Sequence, residues 1–183
     1  MDALTNLKCS LWKSFGGSID MLNNAIELWP TELWDTKKKF FYIAYHTLVF
    51  LDYYLTIPPE NFKSTLPFTL TDQAEIPEDA IDDVVPDRIY SKEELLTYTH
   101  FCREKCHSVI AGLTEDKLQE RWIGQSKHLD LALCSQAAMS YSVLDILFYN
   151  LRHVQHHSAQ LNLLLRQEID NAPEYVSQAE DSL

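Results

Sequence analysis

Glycine is scarce in this chain of 183 residues. It occurs four times, and two of the four, Gly16 and Gly17, are adjacent. A fold made of many tight turns needs more, because glycine alone enters left-handed turn conformations without steric cost. Turn-rich β architecture is therefore disfavoured. No apolar run approaches the roughly 18 residues of a membrane span, and the opening MDALTNLKCSLWKSF lacks the charged-then-apolar order of a secretory signal. Both absences point to a soluble, cytoplasmic chain with no membrane partner. The four cysteines, Cys9, Cys102, Cys106 and Cys134, lack the spacing of a disulfide framework. Bases number 15 against 27 acids and form no stripe to meet a phosphate backbone, so nucleic-acid binding is disfavoured.

What is present suits one globular domain: 46% hydrophobic and 23% charged residues. The acidity is local. Residues 57–90 and 168–183 together account for −11 of the net charge of −12, which leaves a nearly neutral scaffold carrying an acidic connection and an acidic end. The reading is a single domain over residues 1–170, in which 57–90 is an acidic crossover, followed by a polar tail at 171–183.

Four long segments carry helical periodicity. The first runs from about Ala3 to Leu28 with Leu7, Leu11, Phe15, Ile19, Leu22 and Ile26 on one stripe. The second runs from about Thr36 to Thr56 and stops at Ile57-Pro58-Pro59. A capping box, Ser91-Lys-Glu-Glu94, opens a third that reaches about Ala111. A short helix is expected near Thr114–Lys117, and the last long one over about Ser135 to Gln167, starting near Ser135 or Ser140. The expected fold is all-α: a four-helix bundle whose long crossover lets the second and third helices run parallel.

The last helix contains NLRHVQHHSAQL, and His153 and His157 stand one turn apart on one face. Their stripe, Val143, Ile146, Asn150, His153, His157, Gln160 and Leu164, is apolar at its ends and polar in the middle. One reading is a solvated face, or core histidines satisfied by hydrogen bonds. The other is a divalent metal, for which neutral imidazole is the commonest ligand. His46, in the apolar FFYIAYHTLVFLDYYL, is ordinarily a packed residue; facing a His-x3-His pair it completes a three-histidine site. His156 points to the surface or flanks the site. Cys102, Cys106 and His107 suggest a second metal site, against the simpler reading of packing thiols. His100 and His128 have no comparable partners.

LWDTKKKFFYIAYH (Trp34 to His46) and HVQHHSAQL resemble the DinB/YfiT-like family of four-helix-bundle metalloenzymes. His153, His157, Gln160 and Leu161 fall on the family's last-helix pattern, with Ala159 where glycine is frequent. The resemblance implies an up-down-down-up topology and His46, His153 and His157 as ligands of Zn²⁺ or Ni²⁺. It also implies a thiol-dependent S-transferase or detoxification enzyme that takes a small-molecule substrate and a low-molecular-weight thiol. A homodimer is plausible for such long apolar helices.

Three neutral ligands leave an open coordination position, unlike a closed structural zinc site. A bound water or thiol would there be more acidic than in solution. Gln160 and Asn150 could orient what binds, and Tyr42 and Tyr53 could donate a proton, although aromatic packing is the simpler reading of both tyrosines. Asp52 and Asp145 are weaker candidates, with surface exposure as the default. The acidic crossover is either a lid or a passive connection. The alternative function is a metal-binding stress or interaction protein without catalysis.

Overall fold

The computed structural model describes residues 2–125 and 133–183, so His128 lies outside the described residues. The chain is mostly helical: α1 Ala3–Leu28, α2 Lys38–Leu55, α3 Lys92–Ala111, the short α4 Glu115–Gln119, and α5 Val143–Ile169. Two three-residue strands, β1 Phe68–Leu70 and β2 Val84–Pro86, pair antiparallel inside the crossover. The chain is mostly α-helical as expected, and this short strand pair is the β structure found among the described residues. Among the described residues no helix is long and apolar enough to cross a membrane.

Helix starts follow their caps. Asp2 accepts from the backbone N–H of Thr5 at 2.8 Å to open α1. The capping box of Ser91 and Glu94 opens α3 as the sequence predicts. The last helix begins later than expected, at Val143. Ser142 is its N-cap, and Ser142 and Asp145 form a capping box in which aspartate takes the place usual for glutamate or glutamine. Residues 138–140, inside the range expected to be helical, form a 3₁₀ turn instead. Asp145 is exposed, as its default reading has it, and serves the cap.

Polar ties reveal how the long helices pair. Lys37 meets Glu168, His46 meets His153, and the Asn150 amide donates to the Leu51 carbonyl at 3.0 Å, so α2 and α5 run antiparallel. The Trp34 indole donates to the Tyr90 carbonyl at 2.9 Å, while Lys105 near the end of α3 reaches Asp52 and Thr56 near the end of α2. α2 and α3 therefore run parallel. Lys92 donates to the Glu27 carbonyl and Lys8 to the Ala111 carbonyl, which makes α1 and α3 antiparallel. α1 also packs along α5. The four long helices enclose one core, with Trp12, Phe15, Trp29, Phe40, Tyr45, Leu48 and Tyr98 almost fully buried. Burial of such side chains is the main stabilising term, about 1.5–3 kcal/mol each for the larger ones.

Asp52 is 2% exposed, contrary to its surface default. Its carboxylate accepts from the Tyr98 hydroxyl at 2.7 Å and from Lys105 at 2.5 Å, the pairing that a buried charge requires. It belongs to the α2–α3 seam. Cys102 and Cys106 are buried core thiols, and burial raises both thiol pKa values. His107 instead packs edge-on against Trp12 and contacts the Ser182 carbonyl. The second metal site suggested by these three residues is not assembled.

The terminal residues are not a free tail. The Ala179 N–H donates to the Lys13 carbonyl at 2.9 Å, Trp12 donates to the Asp181 carbonyl, and Arg103 pairs with both Asp20 and Asp181. This docking accounts for the adjacent glycines in mid-helix. A Cβ on Gly16 would lie 2.7 Å from the Ala179 Cβ, and one on Gly17 would lie 3.0 Å from the Gln178 backbone. Each glycine costs a helix interior about 1 kcal/mol, and here each permits a close backbone approach.

Candidate metal centre

The antiparallel pairing of α2 and α5 places His46 opposite the His153–His157 stripe. One potential ligand atom from each of the three histidines lies within 4.8 Å of the others. Nε2 of His46 is 3.0 Å from Nε2 of His153. Ring centroids are 5.0 Å apart for His46 and His153, 4.7 Å for His46 and His157, and 4.5 Å for His153 and His157. His157 is buried, and the other two are half-buried.

Burial favours the neutral imidazole, because an ion loses hydration there. It lowers the pKa of His157 to about 4 and that of His153 to about 2, with repulsion from the His46 ring adding to both. Neutral rings are the form that ligates a metal. Proton placement fits as well. Nδ1 of His157 faces Oε1 of Gln160 at 2.7 Å. An amide oxygen can only accept, so that nitrogen carries the proton and Nε2 keeps its lone pair. Nδ1 of His46 lies 2.7 Å from Oδ2 of Asp82. This is a close electrostatic contact, with the ring N–H not aimed squarely at the oxygen.

Nε2 of His46 faces Nε2 of His153, and the 3.0 Å between them is a place that one proton or a cation could occupy. Nδ1 of His153 is buried without a hydrogen-bond partner. The three imidazoles could thus hold a metal ion.

The flanking residues divide. Gln160 holds His157, as expected for a residue that orients a ligand. The Asn150 amide donates to the Leu51 carbonyl and ties α2 to α5 one turn from His153, while its Oδ1 is buried without a hydrogen-bond partner. Tyr53 packs among Phe50, Phe62 and Trp122 in the aromatic core. Tyr42 is half-buried with its ring against Phe41. For both tyrosines the packing reading describes the contacts seen. His156 is exposed with its ring beside His157, and His100 is exposed.

Three residues beside the cluster escape sequence reasoning. Phe50 lies against the rings of both His46 and His153, and Tyr54 is edge-on to His153. Each stands one turn or two beyond His46 on α2, a spacing that could have flagged them. Asp82 comes from the crossover, 36 positions from His46, and no local signal announces it. An open groove of about 820 Å³ runs past the cluster. His153 and Arg152 line it from α5, Ser14 and Ser18 from α1, and Tyr175 from the docked terminal segment. No protein-family model, curated protein or solved structure matches this chain.

Proposed function

We propose that this chain is a DinB-like metalloprotein: an up-down-down-up four-helix bundle that binds one Zn²⁺ or Ni²⁺ through His46, His153 and His157. We further propose that it acts as a metal-dependent transferase or hydrolase on a small molecule, with a low-molecular-weight thiol as the favoured co-substrate. The observation that carries this is the convergence of three imidazoles from two antiparallel helices, two of them with a side-chain oxygen 2.7 Å from Nδ1. The helix pairing supports the topology, and the pattern from His153 to Leu161 supports the family.

When bound, a divalent ion held by three imidazoles would lower the pKa of a thiol or water at its remaining position. The chain's own residues supply orientation: Gln160 fixes the His157 ring, and Phe50 and Tyr54 wall the cluster against bulk water. The groove beside His153 offers a path for a small molecule. A second reading, a metal-stabilised stress or interaction protein, is favoured by the burial of His157 at 8% exposure, which restricts access to the ion.

The test is metal content of tag-free protein by inductively coupled plasma mass spectrometry, beside His157→Ala. Near-stoichiometric zinc or nickel in the wild type and its loss in the variant are expected. Thiol transfer to model electrophiles by the loaded protein would then favour the enzyme over the stress-protein reading. Wild-type protein that neither carries nor takes up zinc or nickel would end the metal-site reading.

A further inference from the structure

We infer that Asp82 is a positioning residue for the ligand His46, which makes the acidic crossover a working part of the metal centre; this rests on the three-histidine reading above. Of the eight acids in residues 57–90, Asp82 is the one whose carboxylate contacts a histidine of the cluster, with Oδ2 at 2.7 Å from Nδ1 of His46. Its other oxygen, Oδ1, accepts from the Val84 N–H at 3.2 Å, at the first residue of β2. One carboxylate therefore joins the hairpin to the ring.

The hairpin is in turn held on α2 by the residue before His46. The Tyr45 hydroxyl lies 2.8 Å from the Leu66 carbonyl and 2.9 Å from that of Pro67, and the Tyr90 hydroxyl donates to Pro67 at 2.8 Å. The Tyr45 and Tyr90 rings stack at 5.6 Å. Adjacent residues on α2 thus seize the crossover at two points, one through backbone carbonyls at the start of the hairpin and one through Asp82 at its return.

A carboxylate beside Nδ1 favours the ring tautomer protonated there and leaves Nε2 to face the other two imidazoles. It also links the two events energetically. Whatever favours the ligating orientation of His46 favours the closed hairpin, and by reciprocity the ion favours closure.

The experiment uses Co²⁺ as the probe with full-length, metal-stripped wild type, Asp82→Asn, Asp82→Ala and, as a control in the same segment, Asp79→Asn. Affinity is read by competition against a chromophoric chelator, and exchange of the hairpin amides is followed with and without Co²⁺. Removing such a partner typically weakens metal binding about 10–100-fold. The expected result is that loss in Asp82→Ala, partial rescue in Asp82→Asn (which keeps a neutral acceptor), and no change in Asp79→Asn. Co²⁺ should slow amide exchange at Val84 in the wild type and not in Asp82→Ala. Wild-type binding matched by Asp82→Ala would overturn this inference and leave the three-histidine reading intact. Equal loss in Asp82→Asn and Asp82→Ala would overturn the orienting role, and no binding by the wild type would remove the metal reading and this inference with it.

Discussion

Replacing Lys105 with Met should destabilise the protein more than replacing Asp52 with Ala, although both changes break the same ion pair. Asp52 is 2% exposed, whereas the Lys105 side chain retains 24% of its accessibility. Without Lys105 the carboxylate stays buried with the Tyr98 hydroxyl as its remaining side-chain partner. Stranding a buried charge in this way costs about 3–5 kcal/mol. Without Asp52 the ammonium can turn to water, and it keeps the Thr56 hydroxyl and the Asp52 backbone carbonyl as acceptors. The main loss is then the acceptor of the Tyr98 hydroxyl, about 1–3 kcal/mol. The double variant should resemble Asp52→Ala, since no charge remains to strand, so the cycle should show coupling equal to the whole Lys105→Met cost, about 3–5 kcal/mol. Guanidinium denaturation of metal-free protein measures all three, and the Lys105→Met melting point should fall on the order of 10 °C for a chain of this size. A Lys105→Met variant less destabilised than Asp52→Ala would refute the reasoning, because the carboxylate would then not be the group that depends on its partner.

Asn150→Ala should cost about 1–3 kcal/mol by removing a fully buried amide–carbonyl bond, with metal content unchanged; loss of metal in this variant would place Asn150 in the site after all. The terminal segment should undock in acid. Arg103 holds the Asp181 carboxyl below its ordinary range, so the pairing favours docking above the free carboxylate pKa of about 4 and is lost as pH falls through the lowered value. Trp12 fluorescence against pH, with Arg103→Leu as reference, measures this, and identical profiles would count against it. Gly17→Ala should raise protease sensitivity across residues 171–183 despite the better helix former, because the new Cβ meets the Gln178 backbone at 3.0 Å; unchanged cleavage would show that the segment shifts to accommodate it.

The helices were legible because their signals are local. The periodic stripe of α1, the prolines after α2 and the Ser91 box act within a few residues of one another. The start of α5 was misread because its box ends in Asp145, a shorter acid than the pattern leads one to seek. Gly16 and Gly17 did carry a visible signal, a helix interior weakened twice. Its meaning needed a segment more than 160 positions away. The bond made by Asn150 was not legible for a related reason: helical spacing puts it on the histidine face, but whether its amide meets the Leu51 carbonyl depends on how far α2 slides along α5.

Residue order alone set the helical class, the placing of acid in two segments and the His153–His157 pair, because each follows from spacing along one backbone. It also indicated His46 as the third imidazole, since a lone histidine in so apolar a helix invites a partner. The pairing of Asp82 with His46, the burial of Asp52, the docking of Ala179 on the glycines and the 3.0 Å approach of two Nε2 atoms required the folded chain. Each joins residues distant in sequence, and long-range packing, which no local window records, determines which side chains share a buried space.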